Sequence, residues 1–342
     1  MVNKVGPNIK DIARMAGVST STVSLVFNQP NRIKEETRFR VLAVAEKLNY
    51  VPNRIARSLV TNKTKTIGLV ISDIIDPFYA EVSRAIEDTL NKEGYSLILC
   101  NTDNDIQKEI QYINLLLEQN VEGIILVPIG TKEEHLLKAI NQGKKIVFVD
   151  RKIDKLPICS VTINNEKAGY VATEFLIQNK HRIIACICGN QSLKTTQDRI
   201  KGYKKALSDN DLPLFESLVV EGSPKPEENY EIINNLLKKK KEVTGFFITS
   251  DIIAYGVLDT LKSLGIDVPE HASIVGFDDI SFSKYLCVPL TTISQPKYEL
   301  GKIAAKMILK KLKPSNDTNN ESIENIELPF SLIVRKSVTK IE

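Results

Sequence analysis

The chain has 342 residues, 42% of them hydrophobic and 26% charged, a balance ordinary for soluble globular proteins and long enough for two or three domains. No apolar run approaches the roughly 20 residues that span a bilayer. "MVNKVGPNIKD" lacks the apolar stretch of a secretory signal, so a cytoplasmic protein without a membrane partner is expected. The net charge of +4 is unevenly spread: residues 1–65 carry 12 Lys and Arg against four acids, which leaves the remainder net acidic. A basic head on an acidic body is the electrostatic footprint of nucleic-acid binding, and predicts association with the nucleoid. The five cysteines sit mostly in apolar runs, and Cys186 and Cys188 read as buried strand thiols rather than a metal pair. Neither a metal nor a cofactor is expected.

In the head, Ile9, Ile12, Ala13 and Ala16 recur at helical spacing, with Asn8 placed to cap them. Gly17 permits a sharp turn, and Ser19 caps a second helix whose inward stripe is Val23, Val26 and Phe27. Thr20, Ser21, Ser24 and Leu25 are left on the outer surface. Two helices joined so tightly match a helix-turn-helix, in which the first residues of the second helix meet base edges in the major groove. Short side chains let such a helix sit deep, and hydroxyls can donate to or accept from bases and phosphates. A third helix is predicted in "KEETRFRVLAVAEKLNY", with Val41, Val44, Ala45 and Leu48 facing in.

"IKDIARMAGVSTSTVSLVFNQ", "EETRFRVLAVAEKLNYVPNRIARSL" and "TKTIGLVISDIIDPFYAEV" together resemble the lactose-repressor (LacI/GalR) family of bacterial transcription regulators, through essentially the whole chain. The resemblance implies that Thr20 and Ser21 hold the main base-reading positions. Leu25 holds a further one and can meet only a thymine methyl; Ser24 and Asn31 complete the DNA-facing set. In "NYVPNRIARSLVTNKTKT" a short helix, Asn53 to Leu59, is marginal alone in water. The family implies that it orders on DNA beside its dimer mate. Leu59 then enters the minor groove, Ala56 packs next to it, and Arg54 and Arg57 meet phosphate. The implied partners are double-stranded operator DNA and a second copy of the chain.

From Ile67 onward, "IGLVIS", "SLILC", "GIILVPI", "KIVFVD", "RIIACICG", "GFFITSD" and "ASIVGFDD" read as buried strands alternating with helical patterns. That is the signature of doubly wound parallel sheets, in which ligands bind beyond the carboxyl ends of strands. Polar residues stand at those ends: Asp73, Asp150-Arg151, Asn190, Asp251 and Asp278. With Arg199 and Gln295 they read as the lining of a polar cleft. The resemblance implies two subdomains like periplasmic sugar-binding proteins, a ligand loop at Asp76-Pro77-Phe78-Tyr79, and an Asp150-Arg151 pair found where the ligand is a sugar. Carboxylates accept from and guanidinium donates to neighbouring hydroxyls, while an aromatic face covers the apolar side of the ring. After "VVEG" the chain has Ser223-Pro224 where many relatives place an aromatic side chain.

The expected architecture is an all-α helix-turn-helix head at residues 1–51, a hinge at 52–66 and an α/β body of two doubly wound parallel-sheet subdomains at 67–342. Subdomain one is expected at about 67–162 and 293–321, and subdomain two at about 163–292 and 322–342. No phosphate-binding loop, dinucleotide fingerprint or nucleophile elbow is present, and His135, His181 and His271 have no nucleophile partner, so no enzymatic activity is expected. His181 reads as a helix-end residue. The expected function is a sequence-specific repressor of carbohydrate-utilisation genes, controlled by a small sugar-like effector. Two alternatives are a carbon-catabolite regulator answering to a phosphorylated partner protein and a non-regulatory sugar-binding protein, for which the basic head would have no use.

Overall fold

The computed structural model describes residues 7–50, 63–130, 133–313 and 323–342. The chain divides into two compact units, residues 1–65 and 66–342.

In the head, α1 (Ile9–Ala16) starts where the Asn8 side chain accepts from the N–H groups of Lys10 and Asp11, and Asp11 reciprocates by accepting from the Asn8 N–H. Gly17, at φ 63°, ends it in the left-handed region that favours glycine. α2 (Thr20–Asn28) is capped by Ser19, whose Oγ accepts from Thr22 N–H at 3.1 Å. A short turn at Pro30–Arg32 leads to α3 (Glu35–Lys47). Ile12, Ala13, Ala16, Val23, Val26, Val41 and Ala45 form the buried centre, and Ile9, Val18, Phe27, Val44, Leu48 and Tyr50 pack around it. The helical spacing of apolar residues thus builds one core and leaves the polar start of α2 outside.

The body holds two six-stranded sheets. The first contains β1 (Thr66–Ile71), β2 (Ser96–Asn101), β3 (Gly123–Leu126), β4 (Lys145–Val149) and β5 (Cys159–Ile163), joined late by β11 (Asn325–Leu328); its order is β11-β5-β4-β3-β1-β2, all parallel. The second contains β6 (Ile184–Cys188), β7 (Val219–Glu221), β8 (Gly245–Ile248), β9 (Ser273–Asp278), β10 (Thr291–Ser294) and β12 (Ser331–Ile333). Its order is β12-β10-β9-β8-β6-β7, with β12 antiparallel to β10.

Each sheet is covered on both faces, which is why its central strands are continuously apolar. In chain order after the head, α4 (Pro77–Lys92), α5 (Ile106–Glu118) and α6 (Glu134–Asn141) serve the first sheet. Then α7 (Asn165–Gln178), α8 (Lys194–Asp209), α9 (Pro226–Lys239) and α10 (Asp251–Ser263) serve the second. α11 (Lys297–Leu312) returns to the first. On the first sheet α4 and α11 bury Val82, Ile86, Leu300 and Ile308 against one face, while α5 and α6 bury Ile113, Leu116 and Leu136 against the other. On the second, α7 and α8 bury Ala172, Leu176 and Tyr203, and α9 and α10 bury Ile233, Val257 and Leu261.

The chain passes between the sheets three times, and two passages fall later than the sequence suggests. β10 pairs with β9 through Ser294, so the second passage is at Gln295-Pro296 rather than near residue 293. The third follows Leu328 rather than residue 322. Residues 325–328 lie along β5, Asn325 opposite Ser160, because half-buried Ile326 and Leu328 complete that edge of the first core. β5, β7, β10, β11 and β12 are not among the predicted strands; each mixes polar with apolar residues over three to five positions and so forms no unbroken apolar run.

Candidate functional sites: a helix face in the head and a polar cleft in the body

On the head, Thr20, Ser21 and Asn31 are exposed, and Ser24 and Leu25 are half-exposed beside them on α2. Local bonds already occupy part of this set. Ser21 Oγ lies 2.7 Å from Ser19 Oγ, and Ser24 Oγ accepts from Asn28 Nδ2 at 3.2 Å. Thr20 makes no side-chain hydrogen bond among the described residues and is the hydroxyl most available to a base or phosphate. Arg54, Ala56, Arg57 and Leu59 lie outside the described residues.

In the body, the carboxyl ends of both sheets enclose a cavity of about 190 Å³. Asp76 caps α4, its carboxylate accepting from Phe78 N–H at 2.9 Å. That cap turns the next two aromatic side chains inward, where their rings meet edge to face at 5.0 Å. Tyr79 Oη donates to Asp150 Oδ2 at 2.9 Å and accepts from Arg151 Nη2 at 3.0 Å; Arg151 Nη1 donates to Asn104 at 3.2 Å. Asp150 itself adopts φ 67°, the sharp exit from β4 that presents adjacent side chains to one site.

The second subdomain supplies the facing wall. Arg199, on α8, is buried; its Nε donates to Asn165 Oδ1 at 2.8 Å and its Nη1 to the Thr249 carbonyl at 2.7 Å. The guanidinium lies 3.7 Å over the Phe277 ring and 3.8 Å from Asp278 Oδ1. Gln295, in the passage between sheets, donates from Nε2 to Asp278 Oδ1 at 2.7 Å. Asp76, Phe78, Tyr79, Asp150, Arg151, Arg199, Asp278 and Gln295 therefore line one cavity, as do Asp73 and Asn190.

Asp251 does not. Its carboxylate points behind the wall and accepts from Ile280 N–H, Ser283 Oγ and Thr292 Oγ1, and it fits only because Gly276 lacks a Cβ, which would stand 2.2 Å from Oδ1. Its place as first residue of α10, one position past the strand-end loop, turns it toward β9 instead of the cavity. Sequence reasoning missed Asn104, Thr195, Thr196, Thr249 and Ser250, which also line the cleft. Asn104 and Thr249 follow β2 and β8, so the strand-end rule reaches them. Pro224 lines the wall where an aromatic ring is lacking. His181 is the helix-end residue expected, its N–H donating to the Leu176 carbonyl at the end of α7 at 3.1 Å, and its ring is buried, hydrogen-bonded to Thr244 Oγ1 and the Thr339 carbonyl at 3.0 and 3.1 Å.

Burial, reinforced by the charge of Asp278, pushes Asp76 and Asp251 up to about 7, and burial also raises Asp278. An acid whose folded pKa exceeds its unfolded value binds more protons when native, so stability falls as pH rises through the window from about 4 to about 7. His181, lowered by burial, acts oppositely below its usual range. With three carboxylates against one imidazole, the expected result is a higher melting temperature at pH 5.5 than at pH 7.5. Scanning calorimetry across that range checks it, and Asp251→Asn is expected to flatten the slope.

A helix-turn-helix unit joined to paired α/β sheets around a polar cleft defines a ligand-responsive bacterial transcription regulator. The chain belongs to the LacI family: residues 8–53 match the model of bacterial regulatory proteins of the lacI family, and residues 64–336 that of periplasmic binding proteins and the sugar binding domain of the LacI family. It is 36% identical over 331 residues to the HTH-type transcriptional repressor PurR of Photobacterium profundum, covering 96% of this chain and 98% of the relative. The lac repressor dimer bound to operator and the anti-inducer ONPF superposes with a TM-score of 0.86 at 26% identity, covering 98% of this chain and 99% of that one. A LacI family regulator of Enterococcus faecium with bound ribose has a TM-score of 0.73 at 29% identity, over 81% of this chain and all of that one. These relatives are regulators rather than enzymes. Among the described residues, no helix is long and apolar enough to cross a membrane.

Proposed function

We propose that the protein is a dimeric repressor of carbohydrate-utilisation genes whose effector is a neutral sugar or sugar derivative of about one ring, acting as an inducer. The observation that carries this reading is the lining of the cleft, in which the carboxylates of Asp73, Asp76, Asp150 and Asp278 interleave with the guanidiniums of Arg151 and Arg199 and with Thr and Ser hydroxyls. Alternating acceptors and donors suit a ring of adjacent hydroxyls, with Phe78 against its apolar face. Each guanidinium already faces an aspartate, Arg151 beside Asp150 at 3.6 Å and Arg199 beside Asp278 at 3.8 Å, which disfavours a phosphorylated or carboxylated ligand. At about 190 Å³ the cavity falls below the roughly 300–1,000 Å³ of sites for drug-sized ligands, which supports a single ring. Calorimetry of the full chain against D-ribose, D-xylose, D-glucose, D-galactose, cellobiose and glucose 6-phosphate tests it. Binding of a neutral monosaccharide in preference to the phosphate is expected; preference for the phosphate, or no binding by any sugar, rejects the reading.

On DNA, we expect the dimer to select a near-palindromic operator, with Thr20, Ser21, Ser24, Leu25 and Asn31 toward the major groove. Arg54 and Arg57 would hold phosphate, and Leu59, flanked by Ala56, would wedge the minor groove. Thr20→Ala is expected to change which operator is preferred, whereas Leu59→Ala is expected to weaken every operator by about 1–3 kcal/mol and reduce DNA bending. Binding-site selection and gel shifts at moderate salt check both, and no preference over random DNA would sink the assignment.

A further inference from the structure

Lys297 opens α11 and is only 5% exposed, and its ammonium makes its hydrogen bonds to main chain while its ion pair is a long one. Its ammonium donates to the carbonyl oxygens of Asp278 at 2.9 Å and Asp279 at 2.8 Å. The nearest carboxylate oxygen, Glu81 Oε2 on α4, is 4.0 Å away. The lysine therefore rises from a helix packed on the first sheet and grips the end of β9 in the second.

The two gripped residues are unusual. Asp278 has φ of 110°, a backbone conformation that a non-glycine residue keeps only when its surroundings enforce it, and Asp279 follows at 51°, in the left-handed region that aspartate tolerates. The other groups that hold this turn belong to the second subdomain or to the passage itself. Arg335 Nη2 donates to Asp279 at 2.6 Å, Asp251 accepts from Ile280 N–H at 3.2 Å, and Gln295 donates to the Asp278 carboxylate. Gln295 Oε1 stays buried without a partner, so this network is not complete as it stands. One residue, Asp278, thus has its carboxylate in the cleft and its carbonyl on Lys297.

We propose that Lys297 is a positioning residue that sets the angle between the subdomains, moving between the Asp278 and Asp279 carbonyls and the Glu81 carboxylate. A ligand that pulls on the Asp278 carboxylate moves its carbonyl relative to α11. Rotation that lengthens the carbonyl contacts leaves a buried ammonium needing another acceptor, and the Glu81 carboxylate already stands 4.0 Å away. Two discrete sets of partners give the hinge two preferred angles rather than a continuum. Part of the test below rests on the sugar reading given above; the rest does not.

The full chain, with spin labels at Ile75→Cys and Gln191→Cys in a Cys287→Ser background, is diluted with unlabelled protein so that only distances within one chain are read. Lys297→Met keeps the stem and removes the charge, and it is expected to shift or broaden the distance distribution. Glu81→Gln is expected to leave the parent peak in place and sharpen it. If Lys297→Met does not melt cooperatively, Lys297→Arg, a longer cation, is read instead and is expected to displace the peak. A variant that melts cooperatively and superimposes on the parent overturns the proposal. With whichever sugar of the panel binds, the change it causes in operator affinity, about 5–150-fold in a coupled regulator, is expected to fall to within about threefold in Lys297→Met while the sugar's own affinity stays near parental. Undiminished coupling also overturns it. Failure of every sugar to bind counts against the sugar reading alone, because the distance measurement needs no ligand.

Discussion

Arg199→Ala is expected to abolish the effector response and lower the stability of the body by about 3 kcal/mol, while operator binding by the folded fraction stays intact. The guanidinium is buried, donates to Asn165 and to the Thr249 carbonyl, covers the Phe277 ring and stands beside Asp278. Its removal leaves a buried carboxylate without its nearest cation and a buried carbonyl without its donor, which is the expensive way to break such a cluster. Thermal melts measure the first effect, and calorimetry with the binding sugar below the new midpoint measures the second. Arg199→Lys separates them: it restores charge but not the planar fork, so stability is expected to return in part and sugar affinity hardly at all. A melting drop with sugar binding unchanged would mean that Arg199 holds the wall together without touching ligand.

Gly202→Ala is expected to be as damaging, although alanine favours helices over glycine by about 1 kcal/mol. α7 and α8 cross so closely that a Cβ at Gly202 would stand 2.0 Å from the Glu166 carbonyl oxygen and 2.6 Å from Tyr170 N. A Cβ at Gly169 would stand 2.3 Å from the Arg199 carbonyl oxygen. Both obstacles are backbone, so neither can swing aside and the helices must part. Overpacking of cores costs typically about 1–3 kcal/mol, and this contact belongs at the upper end or beyond. Since α8 carries Arg199, the displacement also retunes the cleft. Denaturant unfolding is expected to show a lower midpoint with an unchanged slope, and sugar affinity is expected to fall with it.

Much of this arrangement is legible in the residues. The head is almost fully so: caps, glycine turn and apolar spacing are local signals, and Ser19, Gly17 and the Val23–Val26 stripe do what their chemistry suggests. The seven predicted strands of the body are equally plain, because strands buried on both faces read as unbroken apolar runs. What escaped depends on contacts between distant segments. Asp251 looks like the other strand-end acids, and only the space left by Gly276 and the donors Thr292 and Ser283 draw it away from the cleft. His181 is legible as a helix-end residue, but its burial and the partners of its ring come from Thr244 and the segment around Thr339. Lys297 carries no signal at all, since its hydrogen bonds go to main-chain carbonyls and Glu81 is distant in sequence.

The late strand β11 has a consequence for biosynthesis. Asn325 pairs with Ser160, so the edge of the first sheet waits for a segment made 165 residues later. The head, whose core partners all lie within a few dozen residues, can fold as soon as it leaves the ribosome. The first sheet cannot finish, and its β5 edge stays open to other chains until residues 325–328 emerge. A message cut short between those two strands would therefore leave a polypeptide with a complete DNA-reading unit on an unfinished, aggregation-prone body. The cell would see that as a loss of regulation decided by a few codons far from those that encode the DNA-reading helices.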